Sequence, residues 1–447
     1  MDSKQGHHLL PSLKPTRREI LKAAATGAIG LGAASAFGPL AAEAASPKRK
    51  PGAPQTIKLM SWFQYEPGRK EAWKSLMDKF NAAQKDYKVV FVGWPFTNFA
   101  TNVLVQLGSG GLQADLVNAP PDLAYRLVQA DALAPIDDVI TKLGVHPNKG
   151  HDFLRKNGRL HGFSIVEVDF AIIYNTDVFR KAGITHPPRT ISEWNSQIVH
   201  LTNTGKNRYG IFQPNGLNVV ADWWFTLQEY ALAYDGVFAK GKKPLVNSAP
   251  IIKAMELWKT QYAYMPHGLS QDQSIRLFDT GGIAQELIVS AAANVLKSTA
   301  AAEFPYFRSV APPWPSKKSL SRLHPLSIVA GTPHMDGAKA FVEFMARPEN
   351  SAQLMEKCLD VIPPFPEVLK APGVKGYLDS LPWAKGYLSI NPVTPMDIMG
   401  DFIGHNDEFG QILLTNFQQS LTSNVTVEQA MNTAQTQLEA LGSRVFK

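Results

Sequence analysis

Cysteine is all but absent: the 447 residues hold one, Cys358. No internal disulfide can form, and a lone thiol in such a chain reads as a small buried apolar side chain. The motifs that assemble catalytic or nucleotide sites are missing too. There is no HExxH, no Cys-x-x-Cys, no Walker loop, no dinucleotide fingerprint and no GxSxG elbow. The 11 histidines are dispersed, and their only adjacent pair is His7-His8. Nothing brings a nucleophile to a base or ligands to a metal, so neither a cofactor nor a metal is expected. Glu167 and Asp169 could in principle serve a glycosidase, but two acids on one strand are far more often surface or hinge residues.

Charge of one sign is not concentrated either. The formal net charge is +7, and the first 44 residues hold five basic and three acidic side chains, leaving about +5 on the rest. Apart from Lys48-Arg49-Lys50 the excess is scattered, with no basic stripe interleaved with aromatics, so nucleic acid is not an expected partner. With 45% apolar and 19% charged residues, the chain is globular and long enough for two ordinary domains.

A strongly hydrophobic run is also lacking. Residues 23–42 are apolar, but mostly Ala and Gly, which is weak for a membrane span. Just before them, Thr16-Arg17-Arg18-Glu19-Ile20-Leu21-Lys22 matches the twin-arginine export motif. Ala42-Glu43-Ala44 offers small residues for cleavage after Ala44. A signal at 1–44, passage through the twin-arginine translocase and a periplasmic destination are expected. No cysteine follows, which excludes a lipoprotein anchor. Residues 45–55 read as a Pro- and Lys-rich tether.

What is present is an α/β pattern. Residues 56–60 read as a strand and 61–68 as its loop. Trp73, Leu76, Met77 and Phe80 keep helical spacing. A strand at 89–92, a helix over about 98–107 and a strand at 114–117 follow. Strand-helix-strand with short turns predicts a parallel sheet covered by helices. Ligands on such sheets bind beyond the carboxyl ends of the strands, so the loops of interest are 61–68, 94–98 and 118–122.

The stretch 158–201 organises the rest. Gly158-Arg159-Leu160-His161-Gly162 leads into Phe163-Ser164-Ile165-Val166. Glu167 and Asp169 follow, then Ala171-Ile172-Ile173-Tyr174 and Asn175-Thr176-Asp177. A helix, the Pro187-Pro188 break and a fresh helix complete the order, with a Thr190/Glu193 capping box before Trp194. Two short strands almost in series can carry a chain from one domain into another. This order resembles the crossover of family 1 extracellular solute-binding proteins, the sugar-type binding proteins of ABC importers. Their pattern GKxYGxP…ALYYNxDLFxxAGL…PP…TWxEL appears here at 158–162, 171–179, 182–184, 187–188 and 190–194. Looser matches at 107–117, 277–284, 310–315, 347–350 and 362–364 extend the resemblance over nearly all of 56–441. Where the family often carries an aromatic, Ser290-Ala291-Ala292-Ala293 stands.

The resemblance implies a type II periplasmic-binding-protein fold: two α/β lobes, each a mostly parallel sheet flanked by helices. Three crossings would fall near 166–169, 322–327 and 363–366. Lobe 1 would be 56–167 with 327–364, and lobe 2 would be 168–326 with 365–447. It implies a monomer that closes on a small ligand, expected to be a carbohydrate, and docks on an ABC permease. Glycerol phosphodiesters and polyamines are handled by similar proteins. An exported enzyme such as a glycoside hydrolase and a ligand-presenting sensor subunit remain the rivals.

Sugars offer flat C–H faces to aromatics and hydroxyls to polar side chains. Trp62, Tyr65, Trp94, Trp223, Trp224 and Trp314 all lie at predicted strand ends or loop-helix junctions, with core packing the alternative for each tryptophan. Trp73, Trp194 and Trp258 sit in apolar helical stripes and are assigned to the core. Neighbours on a helix point about 100° apart, so one of Trp223 and Trp224 is expected in the site and the other in the core. Asp122 falls where sugar-binding relatives often carry a contacting acid, with N-cap of a helix at 123–130 the alternative. Gln64 occupies a common contact position. Glu167 and Asp169 sit at the crossing, with hinge hydrogen bonding the alternative. Glu286 lies in a predicted strand, where alternation decides its direction. None of these loops carries an obvious arginine for a phosphate-bearing ligand.

Overall fold

A computed structural model describes residues 53–446 apart from 67 and 270. The expected export signal, and the tether up to residue 52, lie outside the described residues. The first strand, β1 (Gln55–Met60), starts at the tether's last residue. It buries Ile57 and Leu59 in alternation. β2 (Tyr87–Val92) and β3 (Leu116–Asn118) lie parallel on its two sides. β3 begins later than the pattern predicts, although the backbone of Asp115 already pairs with Lys58 and Val329. The Asp115 carboxylate accepts from Lys58 N at 2.7 Å, Thr332 Oγ1 at 2.5 Å and His334 Nδ1 at 2.9 Å. The short strand β4 (Leu133–Ala134) and the hairpin β5 (Arg155–Lys156) with β6 (Arg159–Leu160) precede the crossing.

The two short strands expected at 163–166 and 171–174 are one, β7 (Phe163–Asn175), with only Tyr174 not fully buried. Thirteen residues at about 3.3 Å each reach roughly 40 Å, enough to serve two domains. After the hairpin β8 (Ala239–Lys240) and β9 (Lys243–Pro244) come β10 (Gln285–Val289) and β11 (Phe307–Val310), both antiparallel to β7. The return strand β12 (Lys318–Val329) runs antiparallel along β7, and β13 (Asn391–Val393) pairs with its start. The sheet order is β10-β7-β12-β3-β1-β2. Parallel pairing holds within β1–β3, but the pairings on β7 are antiparallel, so the second half's sheet is mixed. Two long strands that cross in opposite directions must each run against part of the sheet they enter. Residues 209–212 make two parallel bridges, Tyr209 to Ile283 and Phe212 to Glu286.

Burial changes hands at the crossing. One apolar core holds Ile57 through Val168 and resumes at Leu323. It continues past the expected boundary at 364 to Phe365, Val368 and Val374. A second core takes Phe170 and Ile172 on β7, Leu320 on β12, and the helices Val220–Leu232, Ala249–Tyr262 and Asn406–Thr422. The opposite face, with Ala171 and Ile173, packs on Trp383 and Tyr387. Trp73, Trp194 and Trp258 are fully buried. Thr190 Oγ1 caps Glu193 N at 3.1 Å, but Glu193 reaches back to Arg189 N rather than to Thr190, so only half of that box forms. Cys358 is buried, and burial pushes its thiol pKa up.

Candidate functional site

The crossing is a two-stranded ribbon in which Ser321 faces Asp169 and Leu323 faces Glu167. Directly opposed residues share a face, and successive ones alternate. Glu167, Asp169 and Ser321 therefore lie on one face, and Arg322 and His324 on the other.

On the first face, the Ser321 hydroxyl donates to Glu167 Oε1. Glu167 Oε2 and Asp169 Oδ1 are buried without a protein partner. Ser290 N donates to the Asp169 carbonyl at 2.8 Å and ties the end of β10 to this point. Burial raises Glu167 to about 7, against the relief given by Ser321. Burial raises Asp169 well above the usual carboxylate range, and the charge of Glu167 adds to it.

On the second face, Arg322 is 5% exposed. Its guanidinium lies 3.9 Å from the centre of the Phe225 ring and donates to Gln228 Oε1 at 2.8 Å. Its Nε has no partner. Burial lowers its pKa to about 10, while Asp122 and Glu229 hold its charge. Glu229 accepts from Leu320 N at 2.8 Å and Ser319 Oγ at 3.1 Å. Burial nonetheless raises it to about 8. His324, lowered to about 3 by burial and then by Arg69 and Arg322, meets the ring of Trp62 at 5.5 Å.

The carboxyl ends of β1 and β3 reach this ribbon. Ser61 Oγ donates to Asn118 Oδ1 at 3.2 Å, and Asn118 Nδ2 donates to the Pro325 carbonyl at 3.0 Å. Asp122 follows in the first turn of the helix Pro121–Gln129. The N-cap of that helix is Pro120, not Asp122, and Asp122 Oδ1 is buried without a partner. Asp122 is thus free of the capping role weighed as its alternative.

The aromatic residues divide differently from the expectation. Trp62 is 2% exposed, among Phe63, Phe96, Phe99 and His324. Trp94 is half-buried at the edge of the first core. Tyr65 is exposed and donates to the Gly93 carbonyl at 3.0 Å. With Gln64 it lines an outer groove that also takes in Lys70, Lys88 and Phe91. Trp223 and Trp224 are both enclosed in the second core, where no split into one site and one core residue survives. Trp223 lies against Trp258 and Phe417, and Trp224 against Phe238 and Phe409. The helix is covered on both sides, so a 100° turn still ends in the interior. The Nε1 of Trp224 donates to Asn406 Oδ1 at 2.8 Å. Trp314 is likewise shut in by Trp194 and Tyr230. Glu286, fully buried, accepts from Ser274 Oγ at 3.0 Å.

Sequence reasoning missed Arg322, Glu229, His324 and Gln213. Arg322 stands on a strand, whereas only loops were searched for a cation. Gln213, fully buried after the Phe212 bridge, has neither amide atom paired. A polar residue ending an apolar run at a strand's carboxyl end was the available signal.

The halves also touch on both flanks of the ribbon. On one flank, a Cβ on Gly68 would stand 2.2 Å from Asn294 Nδ2. On the other, Tyr125 packs against both cores, and a Cβ on Gly404 would stand 3.4 Å from its ring. Asp407, raised to about 6 by burial and then by Asp122, has Arg126 as its opposing charge. The ribbon and its flanks therefore carry buried polar atoms without a protein partner: Asp122 Oδ1, Glu167 Oε2, Asp169 Oδ1 and Arg322 Nε. Such groups are costly to bury unless something pairs with them. Among the described residues no cluster of acids, histidines and cysteine could hold a metal ion, and no helix is long and apolar enough to cross a membrane.

The chain is 23% identical over 332 residues to a maltotriose-binding protein of Pyrococcus abyssi, covering 71% of this chain and 69% of that one. In fold it is similar to an ABC transporter solute-binding protein of Thermotoga lettingae bound with α-D-tagatose. There the TM-score is 0.75 at 16% identity, over 87% of this chain and 100% of that one. It is equally similar to UgpB of Mycobacterium tuberculosis in complex with glycerophosphocholine, at TM-score 0.74 and 17% identity, over 88% and 99% of the two chains. These neighbours carry the type II periplasmic-binding-protein fold. Residues 66–352 match the family model for bacterial extracellular solute-binding proteins, and the chain belongs to that family.

Proposed function

We propose that the chain captures a carbohydrate between its two halves and delivers it to the membrane subunits of an ABC importer. The observation that carries this reading is the set of unpartnered polar atoms on and beside the crossing ribbon: Asp122 Oδ1, Glu167 Oε2, Asp169 Oδ1 and Arg322 Nε. Sugar hydroxyls donate to the first three and accept from the last. The maltotriose-binding relative supports the same class of ligand.

Asp122 comes from one half and the ribbon lies between the halves. A ligand that bridges the two halves favours the closed arrangement by its differential affinity for it. The chain works as a monomer in the periplasm after twin-arginine export and removal of residues 1–44. Lobe 1 comprises 56–167 with the return from 327, and lobe 2 the segment between them with the C-terminal helices. The chain transports rather than transforms its ligand, because its buried acids meet no assembled nucleophile.

The test is thermal unfolding of the chain from Ala45 onward against sugars, polyols, polyamines and phosphodiesters. A ligand at about a hundred times its dissociation constant adds nearly 3 kcal/mol, a shift of several degrees. One sugar class should shift the curve and be recovered unchanged. A panel without effect removes the carbohydrate reading, and a ligand recovered altered makes the chain an enzyme.

A further inference from the structure

The main sheet ends on β2, whose far side pairs with no strand among the described residues. Parallel pairing turns alternate backbone groups of β2 toward β1. Gln55 N donates to the Asp86 carbonyl at 2.7 Å and Ser61 N to the Val92 carbonyl at 3.0 Å. Even-numbered residues therefore face β1, and Tyr87, Val89, Phe91 and Gly93 turn their backbone groups outward. The strand reads Tyr-Lys-Val-Val-Phe-Val, with no Pro or Gly and a single charge. A free edge of that composition is a template for pairing with another chain.

The outward groups are nevertheless occupied. Asn81, on the helix Arg69–Ala83, accepts from Val89 N on Oδ1 at 2.8 Å, and its Nδ2 donates to the Val89 carbonyl at 3.2 Å. Gln84, just after that helix, does the same at Tyr87. Its Oε1 accepts from Tyr87 N at 2.7 Å, and its Nε2 donates to the Tyr87 carbonyl at 2.8 Å. A side-chain amide that exchanges both bonds with one residue copies the pairing an antiparallel neighbour would make there. At the strand's far end the Tyr65 hydroxyl donates to the Gly93 carbonyl at 3.0 Å. Among the described residues nothing meets the outward N–H and C=O of Phe91, and one residue is too short a stretch to seat a strand. Exposed Lys88 lies between the two occupied positions, and a second copy approaching across a two-fold axis would bring a like charge with it. Fixing the turn from helix to strand accounts for Gln84, three residues before Tyr87. It does not account for Asn81, which reaches eight residues onward to the middle of the strand.

We propose that Asn81 and Gln84 close the edge of β2 to strand addition, and that this edge is where a second copy of the chain pairs once their amides are removed. The proposal goes beyond the solute-binding reading and does not depend on the ligand.

The experiment is sedimentation velocity of the chain from Ala45 onward at rising concentration, with hydrogen exchange read at single amides. Wild type should sediment as one species throughout. Its Tyr87 and Val89 amides should exchange as slowly as those of Lys88 and Val90, which face β1, and the Phe91 amide about tenfold faster or more. A folded N81A/Q84A should dimerise as concentration rises, with Tyr87 and Val89 exchanging fast in the monomer and about tenfold slower or more in the dimer. A folded double variant that stays monomeric overturns the proposal, and so does a dimer in which those two amides remain fast. The wild-type exchange needs no variant to fold. If Tyr87 and Val89 exchange there as fast as Phe91, the side-chain amides do not hold the edge and the proposal falls.

Discussion

Two arginines are buried at the crossings to nearly the same degree, Arg69 at 4% exposure and Arg322 at 5%, and their partners differ completely. Arg69 forms a fork on Asp360, with NH2 to Oδ1 at 2.7 Å and NH1 to Oδ2 at 3.3 Å. Its Nε faces Glu66 Oε2 at 3.4 Å, and the Phe63 ring lies 4.9 Å away. Arg322 has one hydrogen bond, one aromatic face and an open Nε. A saturated buried charge ties two chain segments together. An unsaturated one keeps a valence for something else.

The largest effect should come from breaking the saturated pair. Asp360→Ala leaves Arg69 buried with only Glu66 at hand, and should cost about 3–5 kcal/mol of unfolding free energy. The urea midpoint measures it. A loss under about 1 kcal/mol would mean that water or a shifted side chain compensates. Arg322→Gln should behave in the opposite way. It removes one hydrogen bond to Gln228, about 1–2 kcal/mol of stability, while the sugar affinity should fall at least tenfold, as measured by titration calorimetry. Unchanged affinity would assign Arg322 to architecture and dissolve the contrast.

The acids of the ribbon sharpen the comparison through pH. Glu167 titrates at about 7 in the fold against 4.5 when free. Between those values the folded chain holds a proton that the unfolded chain releases, so stability falls as pH rises through the window. Asp169 and Glu229 act in the same sense. The buried histidines His151 and His324, both lowered by burial, act in the opposite sense as pH falls below about 6.5. The difference between wild type and Glu167→Gln isolates the one group. The two melting temperatures should converge near pH 4 and separate by pH 8, with the variant more stable. A difference that does not vary with pH would mean that Glu167 is not held protonated by its surroundings.

The fold was legible where the signal is local. Trp73, Leu76, Met77 and Phe80, at helical spacing, all face the first core. The two-strand crossover was visible at Glu167 and Asp169. What was not legible depends on which face of a strand meets which helix. Arg322 gained its meaning only when the register with β7 put it opposite Val168 and under the helix Val220–Leu232. Trp223 and Trp224 failed as a pair because a single helix cannot tell how many sides its neighbours cover. Their covering helix, Asn406–Thr422, lies about 180 residues downstream.

The smallest predicted effect concerns the flank, where the contact between halves is made by an absence. Gly68 has φ +79° and no side chain, and a Cβ there would stand 2.2 Å from Asn294 Nδ2 and 2.7 Å from its Oδ1. Gly68→Ala therefore carries two separable costs. The backbone part, about 1 kcal/mol for a non-glycine residue at positive φ, is present with or without ligand. The steric part exists only when the two halves are together, so it should appear as a several-fold loss of sugar affinity. Asn294→Ala on top of Gly68→Ala removes the steric part and leaves the backbone part. The double variant should regain affinity while its unliganded melting temperature stays low. If affinity and stability instead recover together, or neither does, the Gly68–Asn294 contact is part of the resting fold and not a consequence of closure.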